Sequence, residues 1–223
     1  MASNILEGRG SAAPSDGVMS LIAADGSASH PYLRNDAAFE GADATRNLAD
    51  AVHFLCILHG RHPGLIDHAA GSTACAVSQR WLGEAAPAFG AERLYVTRLA
   101  VAAGPVPSTP GSPESEAAVA GQYHALEMLA RSERRGCPLG AAIALVIDWR
   151  AIRPLLDHAA RRLSVETVPC RLPDEASASM VLDRVAGEAS VQRALGFGAA
   201  QVLVQHGGLF DLLEARQSAR RDS

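Results

Sequence analysis

The chain has 223 residues, 48% of them hydrophobic but only 4% aromatic, and carries a formal net charge of −4. That balance describes a chain able to bury a core without disulfides or metals, and it excludes an intrinsically disordered protein. The acidic balance and the lack of a long basic stripe argue against a nucleic-acid partner. A core of Ala, Leu, Val and Ile with so few aromatics favours closely packed helices over sheets.

All 20 basic residues are arginines. Schiff-base lysines, lysine general bases and phosphate-loop lysines are therefore excluded. A lysine-free, Ala-, Arg- and Gly-rich chain fits a GC-rich bacterial genome. The four cysteines, at 56, 75, 137 and 170, form no CxxC pair. Zinc ribbons, thioredoxin motifs and c-type haem sites lack their signature. The N-terminal apolar patch at residues 18–24 is too short for a signal core or a membrane span. The expectation is a cytoplasmic protein with reduced thiols and no membrane partner.

In chain order, residues 1–35 read as a loosely ordered arm, with Leu21, Ile22, Tyr32 and Leu33 available to dock it on the body. A single all-helical domain is expected over residues 36–217, followed by a tail at 218–223. Its first helix carries Leu48, Val52, Leu55 and Leu58 or His59 at helical spacing and ends or kinks at Gly60 and Pro63. A second helix runs from Gly64 to about Glu84, and a third, "AERLYVTRLAVAA", closes at Gly104. Four prolines mark "GPVPSTPGSPES" as a loop, placed at 104–114. Ser112 caps a fourth helix, with Pro113 at its first position. A fifth opens at Pro138, and "LLDHAARRL" is a further helix after "WRAIRP". Beyond the connector "SVETVPCRLPDEAS" come a short helix and one or two longer ones to Arg216. The fold expected is an all-α bundle of six to eight helices, with "LYVTRLAV" and "SVETVPCRL" the nearest approaches to strands.

Two segments resemble each other: residues 48–70, ending "LIDHAA", and residues 139–160, ending "LLDHAA". Each reads as a helix, a break containing Arg, a proline and a second helix. A duplicated helix–break–helix unit is one origin. The other is local: Pro63 and Pro154 start helices, and Asp67 and Asp157 meet the positive ends of them. A weaker third copy, residues 197–216, lays "FGAAQVLVQH" over "LGAAIALVID" so that Asp148 falls on His206.

Three constellations could carry chemistry. "HFLCILHGRH" places His53, Cys56, His59 and His62 three residues apart, and neighbours at i, i+3 share a helix face. "QYHALE" places His124 and Glu127 at i, i+3. Bundle di-metal proteins use paired ExxH motifs; here the order is reversed and occurs once, with Glu40 the only further carboxylate proposed. His206 ends an apolar run before two glycines, which read as a pocket edge or a hinge. Trp149 and Arg150 are candidates to line a pocket for an anionic or aromatic ligand.

The functional expectation is an enzyme with a histidine-lined pocket inside the bundle. His53, His124, Glu127 and His206 are the candidate catalytic residues. His53, His59, His124 and Glu127 are the candidate ligands of a divalent metal, iron or zinc. The partner expected is a small organic substrate, transformed by metal-assisted or acid–base chemistry. The alternative is a non-enzymatic helical module that binds a partner or forms a homo-oligomer through its Ala- and Gly-rich helices.

Overall fold

The organising element is a helix that is apolar on every side. Each residue from Cys137 to Trp149 is buried, the pattern of a helix enclosed by others rather than lying on a surface. Around it the computed structural model, which describes residues 13–34 and 39–221, arranges eight more α-helices and no strand among those residues. They are α1 (Pro14–Asp25), α2 (Pro31–Arg34), α3 (Ala44–His59), α4 (Leu65–Ser72), α5 (Ala76–Ala103), α6 (Ser112–Ala130), the central α7 (Cys137–Arg162), α8 (Glu175–Val185) and α9 (Ala189–Arg221). A 3-10 turn, Ser27–Ser29, links α1 to α2. The protein is an all-α multi-helix bundle.

Glycine lets α7 and α9 approach closely. A Cβ on Gly140 would lie 2.1 Å from the Leu195 carbonyl oxygen, and one on Gly198 would lie 2.1 Å from that of Cys137. With Gly136 against Val191 and Gly140 against Leu195, the contacts advance in the same direction along both helices, which run parallel with Gly140 level with Gly198. Eight residues on, about 12 Å along each axis, Asp148 and His206 meet.

Prolines behave differently from the sequence expectation. Pro87 lies inside α5 and Pro154 inside α7. Both are exposed, so the carbonyl that each proline leaves without an amide donor faces water, and the helix continues. The second and third expected helices therefore regroup. A short α4 stops at Ser72, and one long α5 carries "LYVTRLAV". Pro154 starts no helix, and Asp157 lies well inside α7. The Gly207–Gly208 pair is likewise helical within α9 rather than a hinge.

The supposed duplication divides the same way. Residues 48–70 form helix, break, helix; residues 139–160 form one unbroken helix. Asp67 does sit in a first turn, accepting from the Gly64 amide at 2.7 Å. Asp157 instead pairs with Arg153 at 2.9 Å, one turn earlier on the same helix.

The N-terminal arm, where described, is part of the fold. Val18 and Ile22 of α1 are buried, and the Ser15 amide donates to Asp183 of α8 at 2.9 Å. Tyr32 stacks on Phe210 with 6.0 Å between ring centroids. The apolar groups of the arm thus have a surface to cover, which its Gly- and Ser-rich composition concealed. Residues 1–12 and 35 of the expected arm lie outside the described residues. At the other end, residues 218–221 of the expected tail belong to α9, while 222–223 lie outside the description. Arg216 and Arg220 secure that end against the buried Asp50 of α3, with closest distances of 2.9 and 2.6 Å. Among the described residues, no helix is long and apolar enough to cross a membrane.

Candidate functional site

Three elements each deliver one polar side chain to the interior at the same level. His59 is the last residue of α3, Asp148 lies in α7, and His206 lies in α9. His206 Nδ1 is 2.6 Å from Asp148 Oδ2, and His206 Nε2 is 2.9 Å from His59 Nε2. All three are buried, at 2% exposure for Asp148, 1% for His206 and 7% for His59. They form a continuous Asp–His–His chain.

The 3-10 turn closes the far end of this chain. The Ser27 amide donates to Asp148 Oδ1 at 2.7 Å, and the Ser27 hydroxyl donates to Oδ2 at 2.5 Å. Gly26 makes that approach feasible, because a Cβ there would stand 2.7 Å from Asp148 Oδ1. Burial pushes the Asp148 carboxyl up, but His206 and the two Ser27 donors outweigh it, so the pKa is net lowered and the group is a carboxylate. His59 is driven well below the ordinary histidine range, first by burial and then by the neighbouring His206 and Arg93.

An ionised Asp148 accepts from the Nδ1–H of His206. With His206 neutral, its Nε2 lone pair accepts from His59 Nε2; with His206 protonated, both its nitrogens donate and His59 Nε2 accepts. A neutral His59 that donates through Nε2 keeps a lone pair on Nδ1. That nitrogen makes no hydrogen bond among the described residues, and it is not one of the sealed partnerless atoms. His59 lines a narrow cleft of about 20 Å³, room for about one water molecule. Arg61, His68, Arg93, Tyr123 and Glu127 line the same cleft. The exposed Arg61 places its guanidinium 4.5 Å over the Tyr123 ring at the cleft.

A second buried network supports the first. Trp149 meets His59 edge-on at 5.4 Å and donates its indole N–H to Glu92 at 3.0 Å. Glu92 accepts from Arg153 at 2.7 Å, and Asp157 accepts from both Arg153, at 2.9 Å, and the Tyr95 hydroxyl, at 2.8 Å. Burial first, and then the bond to Asp157, pushes the Tyr95 phenol up to about 12. Arg93 ties down the loop after His59. It donates to the His59 carbonyl at 3.3 Å and to Asp67 at 2.9 Å, and its guanidinium lies 3.3 Å from His62 Nδ1.

The sequence candidates divide accordingly. His59 and Glu127 reach one cleft, and His206 stands behind His59. His53 instead bonds the Gly104 carbonyl at 2.8 Å. Six residues along a helix place it about 120° from His59. His124 is exposed on α6, 3.7 Å from Glu127, which also pairs with Arg131 at 2.7 Å. Glu40 is exposed ahead of α3. The four candidate metal ligands are not gathered, and no group of three or more His, Cys, Asp or Glu among the described residues could hold a metal ion. Trp149 is a core residue, while Arg150 is exposed and bonds the Leu172 and Pro173 carbonyls. Asp148, Ser27 and Glu92 were not singled out as site residues. The readable signal for Asp148 was a charge inside the apolar run "AAIALVIDW", which needs a buried partner.

The class thus defined is an all-α bundle with a buried Asp–His–His chain ending at a cleft. The chain belongs to the family of unknown function DUF6975, whose match spans residues 22–221. No curated protein and no solved structure matches it.

Proposed function

We propose that the protein is an enzyme acting on a small organic substrate by acid–base chemistry, with His59 as the group that exchanges the proton. The observation that carries this reading is the unbroken chain from Asp148 through His206 to His59 at the cleft. When His59 Nδ1 takes a proton, its Nε2 proton can pass to His206 Nε2. The positive charge then rests beside the Asp148 carboxylate instead of on the desolvated His59. Return of the proton reverses the path, so one residue serves as base and then acid. Ser27 and Gly26 position the carboxylate. The four free cysteines support a reducing, cytoplasmic setting, and the lysine-free composition supports a bacterial source.

The test is proton exchange. A panel of small carboxylic acids, hydroxy acids and ketones is incubated with protein in D2O and followed by proton NMR. Deuterium incorporation or conversion is expected for at least one compound, with loss of about 100-fold or more in His59→Gln. Gln retains a donor toward His206, so the fold is kept. Turnover undiminished in that variant, or none across the panel, overturns the reading.

One observation favours a second reading, self-association. Met128 of α6 and Phe197 of α9 are exposed and line one groove of about 340 Å³, and Val204 is exposed further along α9. Sedimentation velocity of wild type and Phe197→Ser decides this: a dimer lost in the variant supports it, and a wild-type monomer removes it.

A further inference from the structure

A second concavity lies away from the histidine chain. It has a volume of about 480 Å³ and is bounded by the junctions before α5 and α7 and by the end of α8. Cys75, partly exposed, is the residue that caps the 28-residue α5. Gly136, at φ +95°, caps the 26-residue α7 and lines the same cleft. Two helix N-termini, each a partial positive charge, therefore open on one space. Arg134, Arg135 and Arg184 also line it, opposed within the lining by Glu133.

Arg184 makes no ion pair among the described residues. Arg135 meets Glu188 at 3.4 Å in a solvent-exposed pair, and Arg134 lies over the Phe197 ring at 5.4 Å. Their charge is available to an anion. At the floor, Ser78 is 0% exposed, and its hydroxyl makes no hydrogen bond of normal geometry. A buried hydroxyl beside Cys75 is a donor placed for the thiolate. The Cys75 thiol is held below its ordinary range, first by the Ser78 amide and then by the Val77 amide, the adjacent Ser78 hydroxyl and Arg135.

We infer that this cleft is a modification site, where Cys75 attacks the disulfide of a small carboxylate-bearing thiol held by the surrounding arginines. The Cys75 thiolate attacks one sulfur of the disulfide. The S–S bond breaks, a Cys75–S–S–R bond forms, and the departing thiolate takes a proton from water. Cys75 is oxidised to a mixed disulfide, and the incoming disulfide is reduced to one thiol. The charge around Cys75 separates this site from Cys56 and Cys170, which are also partly exposed.

The experiment uses three disulfide probes of different charge on the full chain at pH 7: oxidised glutathione (anionic), hydroxyethyl disulfide (neutral) and cystamine (cationic). Modified sites are read by peptide mass spectrometry. Oxidised glutathione is expected to label Cys75 first, about tenfold faster than cystamine at low salt, with the advantage shrinking in high salt. The double variant Arg135→Gln, Arg184→Gln should bring that ratio close to one, while its hydroxyethyl disulfide rate falls with the smaller thiolate fraction left when Arg135 is removed. Cys75→Ser should lose the label. First labelling at Cys56 or Cys170, cystamine as fast as oxidised glutathione, or an unchanged ratio in the double variant overturns the inference. Arg184→Gln alone, which leaves Arg135 beside the thiol, should lower the ratio with the hydroxyethyl disulfide rate unchanged, and an unchanged ratio there also overturns the inference.

Discussion

His206 Nδ1 stands 2.6 Å from Asp148 Oδ2 with both side chains buried, and this contact places a proton on His206 Nδ1. A carboxylate there requires the proton on His206 Nδ1. The 2.9 Å contact between the two Nε2 atoms then carries a proton from His59 when His206 is neutral, and from His206 when it is protonated. Long-range ¹H–¹⁵N NMR of the ring nitrogens near pH 7.5 should show His206 protonated at Nδ1 and His59 at Nε2. Asp148→Asn should disturb both patterns together. A His206 protonated at Nε2 alone would contradict the chain.

The depressed His59 gives stability a pH dependence of definite sign. Below about pH 6.5, its ordinary value, the unfolded chain binds a proton that native His59 refuses, so stability falls as pH falls. The slope from one such group is at most about 1.4 kcal/mol per pH unit. His59→Gln should flatten that stretch of the curve. Asp148 is shifted in the same direction, and its window lies lower. Its carboxyl is lowered from 3.8, so its contribution is present above that pH and is lost only as pH drops further, through the folded value. Urea melts from pH 7.5 to 3 check both. A wild-type curve with no more slope than the His59→Gln curve between pH 6.5 and 5 would sink the first claim.

Gly140→Ala or Gly198→Ala should force α7 and α9 apart, because each new Cβ would meet backbone and not a yielding side chain. Overpacking of this kind costs about 1–3 kcal/mol. The separation should also lengthen the Asp148–His206 contact, so the His206 Nδ1 proton signal should weaken or shift. Full stability with an unaltered signal in both variants would show that the crossing is looser than drawn.

Asp50→Ala should be the most damaging of these substitutions. It leaves the Arg216 and Arg220 side chains, 2% and 4% exposed, without their carboxylate. Breaking one side of a buried ionic cluster costs about 3–5 kcal/mol. Chemical denaturation measures this directly, and a loss under about 1 kcal/mol would mean that the arginines reach water instead.

The overlay of "LGAAIALVID" on "FGAAQVLVQH" contained more than similarity. Its matched positions, Gly140 with Gly198 and Asp148 with His206, are parts of the contact between α7 and α9. Read along the chain, the overlay looked like a faint repeat, because spacing within one segment carries no information about which other segment lies beside it. The prolines misled for a related reason. Whether Pro87 or Pro154 ends a helix depends on whether the freed carbonyl faces water, which is a matter of packing. His53 and His124 drew notice by spacing with near neighbours, yet local i, i+3 spacing also describes solvent-facing residues.

What the sequence determined by itself is the all-α class, most helix positions and the chemistry at hand: no lysine, isolated cysteines and histidines on apolar helices. These follow from composition and from apolar periodicity, which act locally. Tertiary structure alone decided that Ser27, His59, Asp148 and His206, spread over 180 residues, share one buried line. A charge inside the core persists only where its partners arrive from other elements, and the glycine contact between α7 and α9 together with the turn at Gly26 brings them there.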